Sequence, residues 1–531
     1  MITFLITVAI IALIAFYGYR AVRRLRKQDR VAEPPHIITS GKDGKWQVPI
    51  FQPDGPLFIK PWLQPGDNPV ASTAGAVDSE SLEVLFHVLR DKADKKQFEV
   101  AVEVPSTGKS FIVVPVKRPV VNHGVPEQVQ YVARLSGLPA GTLFKYTVLM
   151  GGREVYSTYA TTRKAQGEAF RAIVFGDMGN GSPGQRKLAY RLAQPAAGAA
   201  NRLPYTKPQG ADLIVATGDI VYNSGRYSEY LSKFFSVYNA EKAGPDTGAS
   251  IIANTMMISC VGNHDVAKMD PETLVSFDEY PDLMAYYALW SLPLNGPDPD
   301  VLGAMPPLEG NGTAVKAALA SAAERFPRMS NYSYNFGCAH FLILDANVYM
   351  DWTNAKLRAW VEQDLQAVPE GIWKIVVLHQ PPFTSNVGHQ REQQMRFLAD
   401  IFERNGVSIV FCGHAHSYER SFPLKFVSEG GIAPSAQLPG GYVPGSIICD
   451  RSFDGAVSTK PTGVVYVVTG AGGAKLDSKN LQANPDLWQP FTAKLIGDRH
   501  TFTVVDFSPE KLSVEQQDAE GAVLDSFVLS R

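Results

Sequence analysis

The chain has 531 residues, of which 45% are apolar and 19% charged, with a formal net charge of −2. That length suffices for roughly two to four domains with cores of their own, and the composition excludes a chain that is mainly disordered or collagen-like. Near-neutral charge argues against a general nucleic-acid binder, which carries a strong basic excess, so no nucleic-acid partner is expected.

In chain order, Met1–Tyr19 is almost continuously apolar and is followed by Arg20, Arg23, Arg24, Arg26, Lys27 and Arg30 against the single acid Asp29. A helix over these residues would reach about 28 Å at ~1.5 Å per residue, close to a hydrocarbon core. The basic cluster follows the apolar run instead of preceding it, so residues 1–19 are predicted to be a retained single-pass transmembrane anchor rather than a cleaved signal. The same charges place the body on the cytoplasmic side. Residues 20–48, with Pro34, Pro35, Gly41 and Gly44, read as a basic flank and polar linker.

Residues 49–165 alternate between short strand-like runs and turn residues: Leu82–Leu89, Phe98–Val104, Phe111–Val116, Val129–Leu135, Phe144–Met150 and Val155–Thr161. Gly151-Gly152 between the last two is a hairpin signal. An all-β sandwich of immunoglobulin-like or fibronectin-like type is expected. His87 and His123 have no partner cluster and are read as structural or surface residues.

From 166 to 531 the pattern becomes apolar strand, polar loop, helix. Strands are predicted at Arg171–Phe175, Leu213–Thr217, Met256–Val261, Phe341–Leu344, Ile375–Leu378, Ser408–Cys412 and Val464–Val468, and helices at Gln185–Leu192, Tyr227–Tyr238, Lys356–Leu365 and Glu392–Glu403. Such alternation predicts α/β layers with ligand sites at the loops beyond strand ends. Residues 268–335 break the rhythm and read as an insertion beside the site. Cys260, Cys338, Cys412 and Cys449 form no disulfide framework and none is placed as a zinc ligand.

Five of these strands end in loops with a common chemistry: Gly176-Asp177-Met178-Gly179, Gly218-Asp219-Ile220-Val221-Tyr222, Gly262-Asn263-His264-Asp265, Leu378-His379 and Gly413-His414-Ala415-His416. Each puts an oxygen or imidazole donor just past an apolar run. One such motif alone is most often a turn or a satisfied core residue. Together they form a donor set for a pair of cations, carboxylate and phenolate suiting a hard ion and imidazole a softer neighbour. His340, Asp345, Arg420 and His500 lie outside these loops and are assigned structural roles.

The order Asp, Asp-x-x-Tyr, Asn-His, His, His-x-His over residues 172–420 resembles the calcineurin-like metallophosphoesterases, and Tyr222, three after Asp219, resembles the purple acid phosphatase branch. The resemblance implies an α/β (α+β) fold: a four-layer metallophosphoesterase β-sandwich flanked by helices, preceded by a fibronectin-like domain. It implies that Asp177, Tyr222 and His416 bind a ferric ion, that Asn263, His379 and His414 bind zinc, manganese or iron, and that Asp219 bridges the two. A metal-bound hydroxide would then attack the phosphorus of a small phosphorylated substrate. His264 would contact the substrate or assist the leaving group, with Asp265 orienting its ring, and His389 would help protonate the leaving alkoxide. Relatives in plants carry two adjacent histidines where this chain has Gly388-His389. The resemblance also implies export, against the inward-pointing flank charges. Three functional readings stay open: a phosphate monoesterase, a phosphodiesterase or nucleotide pyrophosphatase on the same metals, and a non-catalytic membrane-tethered binding module.

Overall fold

The computed structural model describes residues 55–66, 80–120, 126–196 and 203–531, apart from 267, 271, 272, 275, 303–305 and 307. The predicted anchor, the basic flank and His123 lie outside the described residues. Among the described residues, no helix is long and apolar enough to cross a membrane.

Eight strands come first: β1 (Ile59–Gln64), β2 (Glu80–Leu89), β3 (Phe98–Val104), β4 (Lys109–Val113), β5 (Val116–Val120), β6 (Gln128–Leu138), β7 (Leu143–Met150) and β8 (Arg153–Thr161). They form two antiparallel sheets, ordered β1-β2-β6-β5 and β4-β3-β7-β8. The reason is visible in β3, where Phe98, Val100, Val102 and Val104 alternate inward with more exposed neighbours. The sheets meet through aromatic rings: Phe98 of β3 lies 5.8 Å from Phe86 of β2 and 5.0 Å from Tyr131 of β6. The single run expected at Phe111–Val116 is two strands, β4 and β5, which belong to opposite sheets. β1 was not marked by any alternation in the sequence, and nearly every residue in it is buried.

The rest of the chain builds two larger sheets. The first, ordered β11-β10-β9-β23-β24-β25, contains β9 (Phe170–Phe175), β10 (Leu213–Ala216) and β11 (Met256–Ser259) in parallel, with Phe175, Ala216 and Ser259 level across the sheet. A short hairpin, β12 (Lys268–Asp270) and β13 (Thr273–Leu274), follows. The second sheet, ordered β14-β15-β16-β17-β21-β18-β22, has β15 (Ala339–Ile343), β16 (Trp373–Val377), β17 (Val407–Cys412) and β21 (Val465–Thr469) in parallel. Its remaining strands are β14 (Tyr332–Phe336), β18 (Tyr418–Ser421) and β22 (Thr492–Ile496), with a separate hairpin, β19 (Leu424–Ser428) and β20 (Gly445–Cys449). β23 (Thr501–Phe507), β24 (Lys511–Asp518) and β25 (Val523–Ser530) complete the first sheet.

These two sheets face each other across a layer in which Phe341 lies 6.3 Å from Phe170 and 5.9 Å from Phe507. The outer face of the second sheet, with Leu342, Val376 and Val410, packs against Leu357, Val361 and Leu365 of the helix Ala355–Gln366 and against Ile401 and Phe402 of the helix Ala399–Arg404. Apolar side chains at helical spacing supply that contact, and each such residue fully buried contributes about 1.5–3 kcal/mol. On the first sheet, Phe175 meets Tyr238 at 6.0 Å from the helical stretch over 227–238, which carries a π-helical segment at Tyr230–Phe235. The result is a mixed α/β sandwich with helices outside both sheets.

The described residues form one compact unit. The β1–β8 sandwich is joined to the larger body by main-chain and side-chain bonds, including Leu63 N to Ile252 O at 3.0 Å and Tyr146 OH to Ala253 O at 2.5 Å. The insertion at 268–335 contains helices, the longest being Gly312–Ala322, and its Asp282 accepts from Arg226 Nε at 2.9 Å, buttressing the loop that follows Tyr222. All four cysteines are free.

Candidate metal centre

Parallel strands share a direction, so their C-terminal loops emerge on one edge, and facing sheets bring two such edges together. Asp177, Asp219 and Asn263 follow β9, β10 and β11; His379 follows β16; His414 and His416 follow β17. Asp177, Asp219 and His414 adopt positive φ (54°, 50° and 70°), an uncommon conformation that turns each side chain inward directly after its strand. Close approach requires the glycines here: a Cβ on Gly262 would lie 2.2 Å from Asp219 Oδ1, and one on Gly413 would lie 2.6 Å from Asp177 Oδ2.

All seven predicted donors converge, in two groups. In the first, Tyr222 OH donates to Asp177 Oδ1 at 2.9 Å and lies 3.1 Å from His416 Nε2, which is 3.4 Å from Asp177 Oδ1. In the second, His379 Nε2 lies 3.0 Å from Asn263 Oδ1 and 3.2 Å from His414 Nδ1. Asp219 adjoins the second group, with Oδ1 3.3 Å from His379 Nε2, and its donor atom together with those of His379 and His414 falls within 4.8 Å. Its Oδ2 is buried without a hydrogen-bond partner.

That orphan oxygen is the test of fit for a cation. A buried carboxylate atom without a partner is costly, and so is a buried phenol facing carboxylates. Burial and then the charges of Asp177 and Asp219 push the Tyr222 hydroxyl well above its usual pKa. Burial pushes the Asp219 carboxyl up, but the neighbouring imidazoles of His379, His264 and His414 outweigh it and hold the group below the carboxylate range. For His379, burial is outweighed by Asp219, and its pKa rises to about 10. A set of carboxylates, a phenol, an amide oxygen and imidazoles that crowd this closely in a buried site suits positive ions, and the residues present fit two of them.

Two further predicted residues reach the same place. His264 Nδ1 is 2.6 Å from the Asn223 carbonyl oxygen, and its Nε2 faces Asp219 Oδ2 at 3.8 Å. His389 stacks on His414 with ring centroids 4.1 Å apart. Both keep part of their side chains exposed, unlike the buried Asp177, Asp219 and His379, so they stand where solvent meets the centre.

One expectation is corrected. Asp265 does not orient the His264 ring; its carboxylate accepts from Ile220 N at 3.0 Å and Gly262 N at 2.9 Å, bracing the turns that carry Asp219 and Asn263. The Asn223 carbonyl holds the imidazole instead. His340, by contrast, has the structural bonds expected of it, to Asn335 and Asp364 at 2.7 Å each, and Arg420 pairs with Asp525 at 2.7 Å. His500 likewise has a structural bond, to the Ala471 carbonyl oxygen at 3.1 Å.

Four contributors were missed in the sequence. Glu392 contacts both His414 Nε2 and His389 Nδ1. Asp477 faces His389 Nε2 at 3.7 Å. Glu229 accepts from Ser224 N and Arg226 N at 3.1 Å each, fixing the turn after Tyr222. Glu419 accepts from Thr384 Oγ1 at 2.7 Å and Ser385 N at 2.9 Å, pinning the loop that leads to His389. Glu392 had a local signal, three residues after His389; the others come from separate segments.

Residues 170–418 match the family model of calcineurin-like phosphoesterases. The chain carries a calcineurin-like phosphoesterase domain. It is 25% identical to purple acid phosphatase 13 of Arabidopsis thaliana over 402 residues, which are 70% of this chain and 60% of that one. It is 34% identical to purple acid phosphatase 23 of the same plant over 94 residues, 17% of this chain and 20% of that one. The chain thus spans only part of the length of the curated relatives it matches. Among solved structures, the phosphoesterase fold is shared with the purple acid phosphatase PPD1 from yellow lupin (Lupinus luteus) seeds, with a TM-score of 0.59 at 16% identity, covering 90% of this chain and 75% of that one. PhoD gives a TM-score of 0.51 at 12% identity, covering 88% and 90%.

Proposed function

We propose that the phosphoesterase domain is a binuclear metal-dependent hydrolase of phosphate monoesters. The observation that carries this reading is the convergence of seven donors in two groups beside the unpartnered Oδ2 of Asp219. Asp177, Tyr222 and His416 would hold one ion, Asn263, His379 and His414 the other, with Asp219 shared. The phenol and carboxylates of the first group suit a ferric ion; the amide and imidazoles of the second suit zinc, manganese or ferrous iron. When bound, two such ions lower the pKa of water and neutralise charge on the phosphoryl oxygens.

The chain's own residues supply positioning and proton transfer. A carbonyl can only accept, so His264 Nδ1 keeps its proton and donates it in a hydrogen bond to the Asn223 carbonyl, which leaves Nε2 turned towards the centre. In its protonated form that nitrogen donates to a phosphoryl oxygen. His389, held by Glu392 at Nδ1, presents Nε2 at the partly exposed edge. As a water oxygen bonds to phosphorus and gives up a proton, the ester phosphorus–oxygen bond breaks, its electron pair leaves with the alkoxide, and His389 would deliver that alkoxide a proton.

Around this centre, the order β1-β2-β6-β5 against β4-β3-β7-β8 supports a fibronectin-like N-terminal domain over residues 49–165. The apolar run Met1–Tyr19 supports a membrane anchor; its basic flank favours the cytoplasmic side for the body, whereas the family resemblance favours export.

The test is a panel of phosphate mono- and diesters with the metal-loaded full chain, together with metal analysis. Faster hydrolysis of monoesters supports the proposal and a preference for diesters overturns it; a chain that takes up fewer than about two ions per molecule is a binding module instead. A tyrosinate-to-iron absorption that vanishes in Tyr222→Phe would identify the ferric ion.

A further inference from the structure

Each histidine of the candidate donor set has one ring nitrogen turned inward and one turned outward, and the outward partners differ. His379 Nδ1 meets the Thr217 carbonyl oxygen at 2.7 Å, and His416 Nδ1 meets the Lys475 carbonyl oxygen at 2.7 Å. Both acceptors are main-chain atoms. In His414 the roles of the nitrogens are exchanged: Nδ1 faces inward, 3.2 Å from His379 Nε2, and Nε2 is hydrogen-bonded to the side-chain carboxylate of Glu392. Glu392 sits on the loop that carries His389, and the same carboxylate oxygen lies 3.3 Å from His389 Nδ1.

An ionised carboxylate only accepts, so the proton of a neutral His414 resides on Nε2 and the lone pair on Nδ1. This is the tautomer a metal needs at that position, since a ligating imidazole gives its other N–H to an acceptor that fixes ring and charge. A main-chain carbonyl keeps that role as long as the fold stands. A side chain on a loop keeps it only while the loop is seated.

We propose that Glu392 is a positioning residue that holds His414 in its metal-binding tautomer and thereby couples the affinity of the second ion to the seating of the His389 loop. The inference rests on the reading of His414 as a ligand. Coupling of this kind is reciprocal: an occupied second site favours the seated loop, and a seated loop favours occupation. One carboxylate thus links the ion to the group that protonates the leaving alkoxide.

The experiment is a competition titration of the metal-stripped full chain with Zn²⁺ alone against a chromophoric chelator. The native chain is expected to take two equivalents. Glu392→Ala should weaken one equivalent by roughly 10–100-fold and leave the other within about threefold. Glu392→Gln keeps an acceptor oxygen and should fall between the two. Val387→Ala, on the exposed part of the same loop, should match the native chain. Equal affinities in native and Glu392→Ala, or equal loss from both equivalents, overturns the proposal. Should Glu392→Ala fail to fold, Glu392→Gln carries the test, with a several-fold loss confined to one equivalent expected and no change overturning it. A native chain that takes up no pair of ions refutes the hydrolase reading, and this inference falls with it; that result is read before any variant is made.

Discussion

Two histidines, each fully buried, show how differently the two regions of this molecule use the same side chain. His87, in the N-terminal sandwich, lies 2.6 Å from Gln128 Oε1 and 2.9 Å from the Tyr227 hydroxyl, with the Trp62 ring 5.4 Å away. Burial drives its pKa down to about 3, only partly offset by Gln128. His379 is as deeply buried, yet the Asp219 charge beside it outweighs burial and raises its pKa to about 10. Burial alone therefore says nothing about chemistry. Neutral partners make a structural histidine, and a carboxylate left short of partners makes a site suited to positive charge.

That contrast breaks most sharply at Asp219. Asp219→Asn keeps shape and removes the charge, and with Asp219 shared between two ions as proposed, phosphate release should fall by about a thousandfold or more. Parallel metal analysis should show fewer ions bound; a variant with full activity would show that the site does not depend on that carboxylate.

The opposite limb is an acid titration of stability. His87 titrates near 6.5 when unfolded and near 3 when folded. Above pH 6.5 both forms are neutral and its contribution is intact. As the pH falls from 6.5 towards 3, the unfolded chain takes up a proton that the folded chain refuses, so stability declines by ~1.4 kcal/mol per pH unit, roughly 3 kcal/mol by pH 4. Urea midpoints measured from pH 7 to pH 4 should show this slope, and His87→Gln should flatten it. Equal slopes in both proteins would remove His87 as the cause.

His389 is the intermediate case, partly exposed and flanked by two carboxylates. His389→Ala should slow esters with poor leaving groups by about a hundredfold and esters of acidic phenols much less. A uniform loss across leaving groups would speak for binding rather than proton transfer. The smallest effect belongs to Glu419, a buried carboxylate whose donors are neutral hydroxyl and amide groups. Glu419→Gln should cost about 1 kcal/mol in stability and leave metal content unchanged.

Much of the molecule is legible along the chain because strands and helices announce themselves by local periodicity. Phe98–Val104 reads as a strand from its alternation and Leu213–Ala216 from its short apolar run, and the donor motifs behind β9, β10, β11, β16 and β17 were visible because a donor closely follows each strand end, with a glycine just before it in all but the β16 loop. β1 was not, since Lys60, Pro61 and Gln64 leave it neither an alternation nor a continuous apolar run. Nor was the division of 109–120 between two sheets, which depends on which edge each half meets.

What the amino-acid sequence by itself determined here is the inventory: which donors exist, in what order, and at the end of which strands. Only the tertiary structure decided their partners. Glu392 reaches His414, Asp477 reaches His389, Asp265 turns to the backbone and not to the His264 ring, and His87 meets a tyrosine 140 positions away. The physical reason is that a hydrogen bond is set over about 3 Å in space, whereas the chain specifies neighbours along its length, and the strand order of two facing sheets converts one into the other.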